Sequence, residues 1–337
     1  MIINELTLEN FRSYSKKSFH FSPDITLVVG PNTAGKSNLM EAIFLIAFGK
    51  SPRATLDREM LKTGEKLGFV QARVSASDPR NLEVALTESG KRFRVNGVGR
   101  RLSDFSSHFH AVLFSPQDLE MVTGRPDLRR KFMDFILGGV DREYAHSLSQ
   151  FDKVRKRRNR LLEQINKGFA YETELGFWDA ALLEHGVVLQ DKRKDFFNEI
   201  NGDMGEEGLE LLYIPSGLTA ELLMEYRPRE LGAGTSLIGP HRDDFSFVAP
   251  GNRDLSAYGS RGEQRKAVLA LKKAELEFVE QKIGSRPVLL LDDIFSELDE
   301  ENRKWVLDLL PGGQVIITTA DRDHVPQDLG AFEVLDI

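Results

Sequence analysis

The chain has 337 residues, 41% hydrophobic and 29% charged, a composition too apolar for general disorder and long enough for one large or two ordinary domains. With 45 Lys and Arg against 52 Asp and Glu the formal charge is -7, which excludes a protein coated non-specifically by nucleic acid and confines any DNA contact to a local patch. The absence of cysteine excludes disulfide frameworks, thiolate zinc sites and cysteine nucleophiles together.

Residues 1–11 carry no leader pattern, and the longest apolar runs, such as 42–48, fall short of the ~18 residues of a membrane span. The expected location is cytoplasmic, with no membrane partner. Leu6 and Leu8, Phe19 and Phe21, Val70, Ala72 and Val74, and Leu82, Val84 and Leu86 alternate with polar neighbours at the period of half-buried strands. Asn96-Gly97, between Val95 and Val98, predicts a tight hairpin, because both residues tolerate positive φ. Ile25–Val29 differs: it is continuously apolar, runs into Gly30 and precedes a helical pattern over 37–48, as a buried strand feeding a helix would.

From about 116 to 231 the pattern is helical. Ala145, Leu148, Phe151, Val154, Leu161 and Ile165 form one stripe, and Trp178, Leu182, His185, Leu189, Phe196 and Ile200 a second, which predicts an antiparallel helical hairpin without an extended coiled coil. Within the first stripe lie Lys153, Arg155, Lys156, Arg157, Arg158 and Arg160, a run that reads either as a DNA-facing patch or as a solvated helix face. Trp178 reads as core sooner than as a base-stacking platform. Beyond Gly239 the sequence predicts a strand at 245–248, a helix over 262–283, a buried strand at 288–291, a helix near 301–310 and strands at 314–319 and 332–337.

Gly30-Pro31-Asn32-Thr33-Ala34-Gly35-Lys36-Ser37 fits G-x-x-x-x-G-K-[ST] and stands between the buried strand and the helix, the context in which backbone N–H groups cradle phosphates, the lysine reaches the β/γ-phosphates and the hydroxyl binds Mg²⁺. The apolar run 288–291 ends in Asp292-Asp293, and adjacent carboxylates at such a strand end repel unless a cation lies beside them. Asp292 is thereby expected to hold Mg²⁺ and Asp293 to orient water. Ser260-Arg261-Gly262-Glu263-Gln264 opens the helix that follows it, with Ser260 or Gly262 at the cap and Glu263 in the first turn. It also offers a second anion site, suited to a phosphate brought by another subunit.

These motifs, with Ser296-Glu297-Leu298-Asp299 after the second carboxylate, resemble the ATP-binding-cassette heads of the SMC, Rad50 and RecF class. Leu8-Glu9-Asn10-Phe11-Arg12-Ser13-Tyr14, Arg129-Arg130-Lys131-Phe132-Met133-Asp134, Arg158-Asn159 and Gly239-Pro240-His241-Arg242-Asp243-Asp244 are similar, in order and nearly end to end, to segments of the RecF family. The resemblance implies an α/β P-loop ATPase head with an inserted helical lobe. ATP would be bound by Gly30–Ser37, with Lys36, Asp293 and Gln117 as catalytic groups and Ser37 and Asp292 on Mg²⁺. Ser260, Gly262 and Gln264 would act as signature residues on the ATP of a partner in an ATP-dependent homodimer. It also implies a weak ATPase without nuclease activity that binds gapped or junction DNA, assists RecA loading and works with RecR and RecO.

Two departures from cassette heads stand out: Thr33 where many carry glycine, and Thr319 where transporters carry a switch histidine. Arg12, Arg53, Arg58, His241 and Arg242 are weaker site candidates. Because roughly 250 residues separate the two Walker motifs, Gly30–Ser37 and the run ending in Asp292-Asp293, whose strands are expected side by side, the intervening helices must be an insertion. The expected partition is 1–115 plus 236–337 for the head and 116–235 for the lobe. The alternatives, a transporter's nucleotide-binding subunit or a structural SMC-like head, are disfavoured by the helical insertion and by the absence of a long coiled coil, respectively.

Overall fold

The computed structural model describes residues 1–75 and 78–337. The chain divides into two compact units, Met1–Glu120 with Leu271–Ile337, and Met121–Ala270. The first contains β1 (Ile2–Phe11), β2 (Tyr14–His20), β3 (Ile25–Val29), α1 (Lys36–Phe48), β4 (Leu67–Ser75), β5 (Pro79–Thr87), β6 (Gly90–Val95), β7 (Val98–Arg100), the short α2 (Leu102–Phe105) and β8 (Ala111–Phe114). The second contains α3 (Pro126–Val140), α4 (Arg142–Asn166), α5 (Leu175–Glu206), β9 (Glu210–Ile214), α6 (Ala220–Ala233), β10 (Asp244–Ala249), β11 (Arg253–Asp254) and the one-turn α7 (Leu255–Tyr258). Helix α8 (Arg261–Ile283) crosses the division, and β12 (Val288–Asp292), α9 (Glu300–Asp308), β13 (Val315–Thr319) and β14 (Glu333–Asp336) complete the first unit.

The alternating segments form an antiparallel sheet in the order β2-β1-β4-β5-β6-β7, with Leu6, Leu8, Val70, Ala72, Val74, Leu82, Val84 and Leu86 on its buried face. At the β6–β7 hairpin Asn96 and Gly97 have φ of 50° and 79°, the doubly positive pair a tight hairpin requires. The continuously apolar strands form a parallel sheet ordered β14-β3-β13-β12-β8. Helix α1 is apolar nearly all round, and its Leu39, Met40, Ile43, Leu45 and Ile46 share one buried cluster with Leu6 and Val70 of the first sheet and Val28, Leu290 and Ile316 of the second. A helix of that composition needs cover on every side. The two sheets supply it, and this fixes the start of α1 at the C-terminal end of the parallel strands.

One expectation fails here. Strands β3 and β12 are not side by side: β13 lies between them, with Ile317 in register with both Leu27 and Leu291. A parallel neighbour can come from any distance along the chain, so spacing alone could not reveal it.

In the second unit α4 and α5 pack as the expected antiparallel hairpin. Strand β9 falls inside the span read as helical and joins β10 and β11 in a three-stranded antiparallel sheet. Leu211 points inward, but Leu212 and Ile214 are exposed apolar residues, which blurs the alternation that would have marked it. The return to the first unit comes at 271, whereas 236 was expected. Residues 236–270 stay in the second unit because β10 pairs with β9, Ser236 accepts from Arg158 at 2.8 Å, and Asp243 pairs with Arg193 at 2.7 Å.

Arg158, from the middle of the cationic run, is fully buried and bonds to Asp179 at 2.8 Å and Glu230 at 2.6 Å. Lys153, Lys156, Arg157 and Arg160 are exposed and Arg155 half-exposed. The run is thus an exposed face surrounding one structural arginine. Trp178 is half-buried, with the Arg157 guanidinium 5.6 Å from its ring centroid.

Candidate nucleotide site

The loop between β3 and α1 is shaped by close approaches. Gly35 has φ 109°, and a Cβ there would lie 2.6 Å from the Tyr14 hydroxyl, which donates to the Gly35 carbonyl at 3.1 Å. Burial pushes the Tyr14 phenol up to about 12, so it remains a donor. A Cβ on Gly30 would meet the Ile337 carbonyl at 2.7 Å. Thr33 holds φ 84°, a left-handed conformation that costs a β-branched residue on the order of 1–3 kcal/mol. The departure from glycine noted in the sequence is therefore also a point of backbone strain. The Lys36 ammonium is buried and donates to the carbonyls of Gly30 at 2.6 Å and Pro31 at 3.1 Å, placing it under the loop that its motif predicts it to serve.

Although their strands are not neighbours, the two Walker motifs converge. The Ser37 hydroxyl donates to Asp292 Oδ1 at 3.4 Å, and Thr318 Oγ1 donates to the same oxygen at 2.7 Å. Burial raises the Asp292 carboxyl above its usual range, Asp293 adds to the rise, and the hydrogen bonds from Thr318 and Ser37 oppose it. Asp293 sits at φ 52°, its N–H shared between the Thr318 hydroxyl at 3.0 Å and the Thr318 carbonyl at 3.1 Å. Its Oδ1 is buried without a hydrogen-bond partner. A buried carboxylate oxygen with no donor is costly, and a hydroxyl beside two carboxylates is the oxygen-only donor set that suits Mg²⁺, which takes few protein ligands when phosphates supply the rest. These residues fit that ion. Among the described residues no group of three or more His, Asp or Glu is arranged to hold a metal.

Gln117 lies exposed in the one-turn helix Pro116–Glu120 just past β8, at the same end of the sheet as Asp292, since β8 pairs in parallel with β12. Asp118 beside it caps the turn through Ser115 N at 2.7 Å and holds the buried Lys272 of α8 at 3.2 Å. Ser260, Gly262 and Gln264 belong to the second unit. Ser260 accepts from Glu263 N at 3.3 Å while Glu263 accepts from Ser260 N at 2.8 Å, a capping box that makes Ser260 the cap. The hydrogen bond from Arg253, then those from Ser260, lower the Glu263 carboxyl to about 2. Ser260 and Gly262 are exposed, and a Cβ on Gly262 would meet nothing within 4 Å. Gln264 differs from them: its amide donates to Leu255 O at 2.9 Å and Gly259 O at 3.2 Å, so both its donors serve the turn before α8.

Three residues have roles that the sequence did not assign. Thr318, which anchors Asp292, has no motif to mark it. Glu41, fully buried on α1, takes both arms of Arg12 at 2.6 and 2.9 Å and lies 3.8 Å from Arg53. Arg12, with φ 52°, also donates to Glu59 O at 2.6 Å. Tyr14 is the third: it closes the family-like segment Leu8–Tyr14, which marked its place but not its contact with Gly35.

Comparison with known proteins fits this geometry. The family model described as the RecF/RecN/SMC N terminal domain matches residues 2–332. A DNA replication and repair protein RecF from Bacillus cytotoxicus is 33% identical over 97% of this chain and 94% of its own, and one from Bacillus cereus strain G9842 gives the same figures. A solved structure of the recombination mediator protein RecF-ATPrS in the RecFOR pathway aligns with TM-score 0.89 at 31% identity, covering 100% of this chain and 96% of that one. The corresponding RecF-ATP structure gives 0.88 at 32%, over 97% and 94%. An Smc head bound to the C-winged helix domain of ScpA shares the fold, at TM-score 0.52 and 19% identity over 95% of this chain and 90% of that one. A full-length match in sequence and in backbone, on a fold whose P-loop and paired carboxylates meet at one sheet end, places this chain in the RecF family of DNA replication and repair proteins.

Proposed function

We propose that this protein is a weak ATPase whose ATP-bound form is a homodimer, acting as a timing device on gapped or junction DNA. The observation that carries the reading is the meeting of Ser37 with Asp292, beside the unpartnered Asp293 oxygen. Gly30, Pro31, Asn32, Thr33, Ala34 and Gly35 wrap the triphosphate with backbone N–H groups, and Lys36 turns from the loop carbonyls to the terminal phosphates. Ser37 and Asp292 hold Mg²⁺, which neutralises phosphate charge. Asp293 orients the attacking water, and Gln117 faces the same end of the sheet.

Ser260 and Gly262, exposed at the start of a long helix, close over the ATP of a second copy, while Gln264 fixes the turn that presents them. Binding therefore favours the dimer, and hydrolysis releases it. No nuclease chemistry is assigned. DNA, RecR and RecO are the proposed partners, with RecA served indirectly and the cytoplasm as the location. Relatives described as RecF-ATP in the RecFOR pathway support this reading, and no helix among the described residues is long and apolar enough to cross a membrane.

Size measurement with and without ATP, and with and without gapped duplex, tests it. The expected result is a monomer alone, a dimer with ATP, and retention of that dimer on DNA. A single species under all conditions would overturn the proposal.

A further inference from the structure

The segment Gly239-Pro240-His241-Arg242-Asp243-Asp244 is assigned no role in the nucleotide site, yet several buried polar side chains of the second unit converge on it. Asp243, fully buried, accepts from Arg193 Nη1 at 2.7 Å, the Tyr213 hydroxyl at 2.5 Å, Gln190 Nε2 at 2.8 Å and Ser216 N at 2.8 Å. Arg193 Nη1 also donates to Pro240 O at 2.7 Å. Asp244 takes Arg129 in a bidentate pair at 2.6 and 2.9 Å. The one-turn helix Pro240–Arg242 is thereby fixed from beneath. Burying charges in this way is a poor route to stability, so a turn serving only as a connection would not require it.

What this frame holds outward is Arg242, an exposed side chain that makes no ion pair among the described residues. Two further guanidiniums act, as Arg242 does, on the neighbouring His241. Arg130 donates to Asp243 O at 3.0 Å. Arg155 lies one helical turn beyond Phe151, whose ring centroid is 5.9 Å from that of His241. Its Nη2 is 3.3 Å from Asp152, but its Nε is buried with no partner. His241 brings no charge of its own: Nε2 donates to Ser236 O at 3.1 Å, and burial first, then Arg155, Arg242 and Arg130, holds the ring's pKa near 4. Like charges are gathered around a neutral ring, with the half-exposed Asp152 paired to Arg155 at its outer side and the Arg155 Nε–H left unpaired.

We propose that Arg242, Arg130 and Arg155 form a contact site for phosphates of the DNA backbone, held in place by Asp243 and Asp244. The inference rests on the DNA-binding reading above. Guanidiniums pair with phosphate oxygens through planar, two-pronged hydrogen bonds. Since Arg242 is exposed and the other two partly so, the ligand meets them as a surface. A polynucleotide presents such a surface, with its diester oxygens repeated along it.

The test is binding of gapped duplex between 50 and 200 mM salt by wild type, Arg242→Gln, Arg242→Lys and the double variant Arg242→Gln/Arg155→Gln, with nucleotide affinity and thermal melting followed in parallel. The magnitude of the slope of log K against log salt should fall by about 0.9 per lost contact, once in the single and twice in the double variant. It should stay at the wild-type value in Arg242→Lys, with ATP affinity unchanged in all four proteins. A wild-type slope retained in a folded double variant overturns the site and leaves the DNA reading intact, whereas absence of salt-dependent binding by wild type overturns both. Displacement of the duplex by inorganic phosphate at equal phosphate concentration would assign the cluster to small anions and also overturn it.

Discussion

Lys36 reaches two loop carbonyls, so its ammonium is already positioned in the loop proposed to receive the triphosphate. Hydrogen bonds to charged groups contribute about 1.5–3 kcal/mol, and Lys36→Ala should weaken ATP binding roughly ten- to a hundredfold in a fluorescent-nucleotide titration. ATP-dependent dimerisation should disappear at limiting nucleotide. Gly35 is set by Tyr14 and by its own backbone: Gly35→Ala puts a methyl 2.6 Å from a buried hydroxyl at φ 109°. A loss of about 1–3 kcal/mol follows, visible as a lowered melting temperature, and an unshifted melt would refute this account of the loop. His241 gives a pH signature. Its folded pKa is lowered from 6.5 to about 4, by burial first, so the unfolded chain binds the proton more readily. Its contribution is complete above pH 6.5 and is lost as pH falls towards 4, by roughly 3 kcal/mol at 1.36 kcal/mol per unit. The fall in denaturant midpoint over that window should be shallower in His241→Gln.

Helix α4 shows how one element can carry opposite meanings for the same residue type. Arg158→Ala leaves Glu230 buried without its cation and should cost about 3–5 kcal/mol of stability. Neutralising the exposed Lys153, Lys156, Arg157 and Arg160 should leave melting unchanged, and it should flatten the salt dependence of DNA binding if this face meets phosphates. An unaltered slope would leave it a solvated face. The sequence could not separate these two kinds of cation, because an arginine paired across helices has the same local pattern as a solvated one. What it showed well was whatever is local: the hairpin at Asn96-Gly97, the buried strand β3 running into the P-loop, and the apolar run that ends in Asp292. What it hid was pairing at a distance. Strand β13 between the Walker strands, Thr318 bonded to Asp292 and Glu41 under Arg12 all depend on neighbours far along the chain. Strand β9 was lost for a different reason, since its outward Leu212 and Ile214 interrupt the two-residue period.

For the whole molecule, the proposed composite site separates two lesions. Ser260→Arg should leave ATP binding to the monomer intact while preventing closure over a partner's nucleotide, so dimerisation and hydrolysis fail together. Asp293→Asn should bind ATP and persist as a dimer on DNA without turnover. In a mixed dimer one site carries both lesions and the other carries neither. Hydrolysis in the mixture should therefore recover in part, measured with heterodimers shown to form; no recovery even in a single turnover would refute shared sites. The strand order has a further consequence, for the time course of synthesis. Strand β3 is flanked by β13 and β14, and Gln314 bonds both the N–H and the carbonyl of Ile3. The segment that carries the P-loop thus leaves the ribosome well before its sheet partners are made. At 5–20 residues per second the interval between Val29 and Val315 lasts on the order of 15–60 s, ample time for residues 121–270 to fold. A nascent chain halted before Val315 should not retain ATP, so the ability to grip nucleotide arrives only once β13 and β14 exist.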